Sequence, residues 1–365
     1  VKGVRMDCKI LYLPNKAKPF SKHVESSNYN FDFFYKSGLF LRWGKTEDDD
    51  PSYSPFGPEI LDIEISTICN GINGKPCTHC YKSNTGKGKN MSFDTFKTIF
   101  DKMPETLTQV AFGIGDIDAN PDMWEMFKYC RSNQNTVVVP NVTINGWNLT
   151  DEAADNFSSL CGAVAVSRYQ PKDVCYDAVQ KLTDKGMTQV NIHMLLSQET
   201  LDQCYETVYD MKMDARLRRA NAVVFLYLKP KGIRNKFTML HGASHYEKLI
   251  SYCFNNKVKF GFDSCSAPTF LRAVEHRSNF SELEMMAESC ESSCFSSYIN
   301  VDGRYFHCSF TEGEQGWKGI DVVNCKDFLK DVWYGDETIR FRDSLITQNH
   351  AISNSCRECP IFDLR

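Results

Sequence analysis

Cys69, Cys77 and Cys80 lie in the run IEISTICNGINGKPCTHCYKSN with the spacing C-x7-C-x2-C. Three thiolates on one loop can hold three irons of a [4Fe–4S] cluster and leave the fourth iron open for another ligand. A C-x2-C pair can instead hold structural zinc, but a zinc ribbon needs a second pair close by. The other C-x2-C here, Cys356 with Cys359, stands near the opposite end of the chain. Cysteines thicken again in SCESSCFSSYINVDGRYFHCSF and SCRECPIF, which bring Cys290, Cys294, Cys308, Cys356 and Cys359. Four thiols from that set suit a closed iron–sulfur cluster, and they suit zinc as well. Cys265, in FDSCSAP, has three open uses: ligating a cluster, facing a substrate as a hydrogen-atom donor, or filling a core. Cys325 is left without a role.

The chain has 365 residues and 42% hydrophobic content, enough to bury a barrel-sized core with smaller appendages. A formal charge of −4 and a pI of about 6.1 give no global basic field, so nucleic acid is not an expected partner. Two local basic runs, Arg216/Arg218/Arg219 and Lys229/Lys231/Arg234/Lys236, read as a solvated helix end and a loop before they read as a binding patch. The segment Val1–Asp7 lacks signal-peptide character, and no apolar run approaches the ~20 residues of a membrane span. A reduced, cytoplasmic setting without a membrane partner is therefore expected for the 16 cysteines. In that setting Cys8, Cys130, Cys161, Cys175, Cys204 and Cys253, which are scattered, are expected to be small buried hydrophobes.

The elements that must position the cysteine loop follow from periodicity. Residues 1–58 read as a β-rich appendage, with strand patterns at 9–13 and 31–43 and an acidic, Pro/Ser-rich linker at 47–58. From 59 to 263, strand patterns at 60–65, 109–114, 141–144, 163–167, 189–196, 222–228 and 258–262 alternate with helical patterns at 93–102, 122–131, 151–160, 173–185, 201–214 and 244–255. The strands read as continuously apolar, which predicts a parallel sheet buried on both faces. The expected fold is α/β: a partial (β/α)6 TIM-like barrel with a seventh strand extending its edge. Residues 264–365 read as a small α+β domain, with a helix at 268–289, a hairpin at 298–308 turning on Asp302–Gly303, and helices near 328–334 and 339–346.

These features resemble the radical SAM superfamily, and within it the peptide- and protein-modifying enzymes that carry a C-terminal SPASM or Twitch domain. The resemblance covers residues 59–365. The usual family loop is C-x3-C-x2-C with an aromatic residue before the last cysteine. This chain has four extra residues between Cys69 and Cys77, and His79 takes the aromatic place. The resemblance implies a [4Fe–4S] cluster on Cys69, Cys77 and Cys80, with S-adenosylmethionine (SAM) at the open iron. In AFGIGDIDANPD, Gly113, Gly115 and Asp116 are similar to the GGEP-like turn that receives the SAM amino group, without its proline. Asn145 lies in TING, which resembles the family's TNG turn. Ser167 falls where a serine meets the SAM ribose or carboxylate, with Arg168 beside it as a carboxylate candidate. Leu196, Leu228 and Lys229 fall in segments that resemble those flanking adenine.

Against the SPASM pattern C-x(9–15)-G-x4-C, Cys290, Gly303 and Cys308 fit with twelve and four intervening residues, whereas Cys294 leaves eight before the glycine. With Cys356 and Cys359 they imply one auxiliary [4Fe–4S] cluster of the Twitch kind, Cys294 being the substitute for Cys290. The implied activity is reductive cleavage of SAM to a 5′-deoxyadenosyl radical, with electrons from a flavodoxin- or ferredoxin-type donor. The implied substrate is a ribosomally synthesised peptide, modified by crosslinking, epimerisation or backbone excision. Many such enzymes carry a leader-recognition domain of three strands and three helices, larger than the first 57 residues suggest. A separate leader-recognition protein, direct recognition and a non-peptide substrate all stay open. The alternative within enzymes is radical oxidation or rearrangement of a small molecule or nucleotide. The alternative of another class is a non-catalytic, cysteine-rich zinc-binding interaction module.

Overall fold

A computed structural model of the chain describes residues 7–17, 19–46, 49, 51–133, 136–346, 357 and 359–363. The N-terminal appendage is a four-stranded antiparallel sheet in sequence order: β1 (Lys9–Leu13), β2 (Ser21–Glu25), β3 (Asn30–Phe34) and β4 (Phe40–Trp43). Sequence patterning predicts two strands there, and the difference has two causes. The apolar run 31–43 is cut by a turn at Gly38, whose φ of +73° suits glycine. The strand Ser21–Glu25 is concealed because Lys22, a residue seldom found inside, is buried. Its ammonium donates to the carbonyls of Glu105 and Leu107 and to Thr136 Oγ1, pinning the small sheet to the barrel.

Ten strands form the main sheet. Seven run parallel in chain order: β5 (Ile60–Glu64), β6 (Gln109–Gly113), β7 (Val139–Ile144), β8 (Val164–Ser167), β9 (Val190–Leu196), β10 (Ala222–Tyr227) and β11 (Phe260–Phe262). The helices between them are α1 (Phe93–Phe100), α2 (Met123–Ser132), α3 (Asp151–Leu160), α4 (Lys172–Asp184), α5 (Leu201–Met213) and α6 (Ala243–Asn256). Capping is local: Ser92 accepts from the Thr95 amide at the start of α1, and Thr150 from the Ala153 amide at the start of α3. This is the partial-barrel α/β architecture expected from the sequence.

After β11 come α7 (Ala267–Val274) and α8 (Phe280–Met285), two short helices where one is predicted. Then β12 (Ser296–Ile299) pairs in parallel with β5, Tyr298 standing opposite Asp62. The turn at Asp302–Gly303 leads into β13 (Arg304–Phe306), and β14 (Ile320–Asp321) completes the far edge. The C-terminal hairpin thus continues the barrel sheet through backbone hydrogen bonds. A π-helical turn at Leu329–Trp333 and α9 (Asp336–Ile346) follow.

Continuously apolar strands are not what forms; most strands alternate. Leu61, Ile63, Val110, Phe112, Ile192 and Met194 pack in the core with residues of the helices. Ile60, Asp62, Gln109, Ala111, Asn191 and His193, on the opposite face, are only partly buried. The sheet is open, with β11 and β14 at its edges, so one face is left to line a cleft. Of the scattered cysteines, Cys130, Cys161, Cys175, Cys204 and Cys253 are buried in the main core, and Cys8 packs partly exposed against a second core under the N-terminal sheet. Among the described residues, no helix is long and apolar enough to cross a membrane.

Candidate active site

The loop after β5 carries Cys69, Cys77 and Cys80 at the C-terminal end of the first barrel strand. Its return path is fixed by backbone pairing: the Cys69 amide donates to the Thr85 carbonyl at 3.0 Å, and the Met91 amide to Ile65 at 2.9 Å. The extra residues between the first two cysteines fold on themselves. Ile72 and Lys75 pair across Asn73–Gly74, both with positive φ (54° and 70°), the signature of a tight type I′ turn. The insertion is therefore a miniature hairpin on the side of the loop. The loop after β10 closes over the other end, where Arg234 donates to the Asn84 carbonyl at 2.8 Å and Gly232 packs on the Cys80 carbonyl.

The GGEP-like turn lies against this loop. Gly115, at φ +65°, sits so close to the Ile68 carbonyl that a Cβ would collide with it. The Asp116 amide donates to that same carbonyl at 3.0 Å. Its carboxylate accepts from the Asn70 backbone amide at 2.7 Å and from Asn145 Nδ2 at 3.4 Å. Asp116 thus joins the cysteine loop to the turns after β6 and β7. Gly113 is exposed at the strand end. Burial, the nearby Asp116 carboxylate and Cys77 push the Cys69 thiol up to about 12; burial and Cys80 push Cys77 up to about 11. Burial thus favours the neutral thiol over the thiolate at both positions.

Beside the loop is a cavity of about 500 Å³ lined by Cys77, His79, Arg168, Tyr169, Leu195 and Phe237, among others. His79 packs between the Tyr169 and Phe237 rings at 5.2 and 5.1 Å, and its Nε2 has no partner among the described residues. Arg168 is buried and donates to Gln203 and Glu206 of α5, while its Nε is unpartnered. Ser167 is buried at the end of β8 and interacts with the Tyr169 hydroxyl. Three residues named from the resemblance do not line this cavity. Leu196 and Leu228 are buried in the core and bonded to each other through their backbones, at 3.1 Å, while Leu195 faces the cavity. Lys229 lines a different cavity, paired with Asp263.

That second cavity, of about 550 Å³, draws together Cys265, Cys290, Cys308 and Cys359 from four separate segments. Burial raises the thiol of each of the first three, and pushes Cys308 up to about 12. The Phe362 amide donates to Cys359 Sγ at 3.4 Å. Cys356 lies outside the described residues. Cys294, the sequence-based substitute for Cys290, is fully buried in the core beneath the N-terminal sheet and does not line the cavity. Cys325 donates to the Val322 carbonyl away from both cavities. Among the described residues, no three His, Cys, Asp or Glu side chains are gathered as a single metal ion would need. A tetrahedral zinc at about 2.3 Å from each sulfur requires thiolates within about 4 Å of one another. A four-iron cube carries its thiolates on outer corners, farther apart.

The two cysteine regions touch. Tyr81, next to Cys80, packs its ring against Phe310 at 4.4 Å between centroids, tilted by 39°, and Lys82 bridges Glu64 (3.2 Å), the Tyr298 hydroxyl (2.7 Å) and Glu312. Several members of the basic runs noted in the sequence are paired within the fold: Arg216 with Asp173, Asp177 and Asp214, Arg219 with Asp184, and Lys231 with Glu314. Sequence reading passed over this clamp and over Asp62, although two acids in a five-residue barrel strand, ILDIE, were a visible signal.

No family model and no curated protein matches this sequence. Comparison of folds does find matches. SuiB of Streptococcus suis bound to its precursor peptide SuiA superposes with a TM-score of 0.68, at 13% identity over 92% of this chain and 94% of that one. The chain shares this fold. SuiB bound to S-adenosylmethionine matches at 0.65, with 14% identity over 83% of this chain and 73% of SuiB. The structure of anSMEcpe with AdoMet and the Cp18Cys peptide matches at 0.55, with 14% identity over 78% and 83% of the two chains.

Proposed function

We propose that the chain is a radical SAM enzyme that acts on a ribosomally synthesised peptide. The observation that carries this reading is the three-cysteine loop at the end of β5, tied through Asp116 and Asn145 to the turns where SAM would lie. The fold it shares with SAM-bound SuiB and anSMEcpe supports it. Both proteins also have structures with a peptide bound, which favours a peptide over a small molecule. The donor set of Cys69, Cys77 and Cys80 fits a [4Fe–4S] cluster with one open iron, whose chemistry is to deliver an electron into the C–S bond of SAM. Around it, exposed Gly113 permits close approach of a ligand to the backbone, Asp116 accepts from an ammonium, and Arg168 Nε offers an unused donor to a carboxylate. His79, Tyr169, Leu195 and Phe237 supply an apolar wall for the adenine and keep water out.

The second donor set fits one auxiliary [4Fe–4S] cluster, held by Cys265, Cys290, Cys308 and either Cys356 or Cys359. On this reading Cys265 is a ligand rather than a hydrogen-atom donor. The test is anaerobic reconstitution with iron and sulfide analysis and an assay of reductant-dependent 5′-deoxyadenosine formation. About eight irons per chain with SAM cleavage is the expected result; tightly held zinc without cleavage would move the chain to the metal-binding module instead.

A further inference from the structure

Asp62 sits in the middle of β5 on the face that lines the 550 Å³ cavity. Its carboxyl has no hydrogen-bond or ion-pair partner among the described residues. Its neighbours across the sheet explain why. On one side stands Ala111, too short to reach it; on the other stands Tyr298, whose hydroxyl is engaged by Lys82 and Glu312. The cations of the same cavity are also engaged, Lys229 by Asp263 and Arg357 by the carbonyls of Cys290 and Ser52. Glu64, the next acid on this face of the strand, is paired with Lys82. A half-buried carboxyl without a partner costs free energy unless a ligand satisfies it.

We propose that Asp62 is the recognition group for a cationic substituent of the substrate, a primary ammonium or guanidinium, in the cavity bordered by Cys265 and Cys308. This deepens the peptide reading and rests on it: the bound segment carries a basic side chain or an amino terminus at this point. The Phe310 ring, already beneath Lys229 at 4.6 Å, gives the cavity a face that favours cations. The cavity's other charged lining residues include Lys229 with Asp263, Glu291 with Arg42, and Arg357, all of them engaged by the protein itself.

The probe is n-butylammonium, with n-butanol as its neutral counterpart, followed by saturation-transfer NMR on the reconstituted protein and on Asp62→Asn. Transfer to butylammonium at millimolar concentration, falling at least fivefold in Asp62→Asn and weak for butanol in both, is the expected result. Equal transfer in the two proteins, or equal transfer to alcohol and amine, overturns the proposal. Asp62→Asn is isosteric, and its iron content, matching wild type, verifies folding; should it lose iron, Asp62→Ser replaces it in the same comparison. SAM cleavage by the wild type tests the enzyme reading separately, so the two can fail independently.

Discussion

The two cysteine regions are built in opposite ways. Cys69, Cys77 and Cys80 come from one loop whose ends are fixed by β5 and α1, so chain connectivity alone brings the thiols together. Cys265, Cys290, Cys308 and Cys359 come from the turn before α7, the loop before β12, the loop after β13 and the tail, and only the folded sheet gathers them. A local site tolerates loss of distant structure; an assembled one pays loop-closure entropy for every segment. The most severe way to test this contrast is to replace Cys69, Cys77 and Cys80 together by Ala. SAM cleavage is expected to vanish while about four irons remain; retained cleavage would end the assignment.

The next largest effect separates ligands from bystanders in the assembled site. Cys265→Ala is expected to lose the auxiliary iron and its electron paramagnetic resonance signal. Cys294→Ala should keep both, and should lower stability by about 1–2 kcal/mol because it removes a packed sulfur from a core. A reversed pattern would mean that Cys294 is the ligand and the cavity around Cys265 something else.

The contrast also explains what could be seen in the sequence. The C-x7-C-x2-C loop, the order of the βα units and the turns at Gly115–Asp116 and Asn145 are short-range patterns, and a single pass along the chain reveals them. The N-terminal sheet was half hidden because buried Lys22 reads as surface and is paired only in the folded state. Which cavity Lys229 lines could not be read from its position after β10, because the ion pair with Asp263 that holds it joins residues far apart in the chain. The sequence offers Cys294 as a ligand and leaves the role of Cys265 open, whereas Cys265 lines the cavity and Cys294 fills a core; the site is set by pairings such as that of β12 with β5, between residues more than two hundred positions apart.

The clamp between the regions gives the third test. Lys82→Met leaves Glu64 buried beside Tyr298 without its cation, which should cost about 3 kcal/mol in urea unfolding. Lys82→Arg should recover most of it. If Lys82→Met is neutral, the two regions are not mechanically joined. A smaller effect is expected at Gly115→Ala, where positive φ and the Ile68 carbonyl force the turn to shift. SAM should bind about tenfold more weakly, near 1.4 kcal/mol, by equilibrium dialysis with iron content unchanged.

An effect of similar size is expected at Asp62, the acid between the two regions. Burial pushes its folded-state pKa up to about 7, above the ordinary aspartate value. The folded protein therefore holds this proton over a range where the unfolded chain has released it. From about pH 4 to about pH 7 the folded state binds more protons, so this group's contribution makes stability fall as pH rises, and the loss is complete above pH 7. Because the cavity admits water, the expected total is about 1–2 kcal/mol, less than the full shift would give. Asp62→Asn carries no such proton, so the stability difference between variant and wild type in urea unfolding should widen in the variant's favour from pH 5 to pH 8. A difference that stays flat would show that the carboxyl already has a partner in solution, and would remove the reason to look for a cation there.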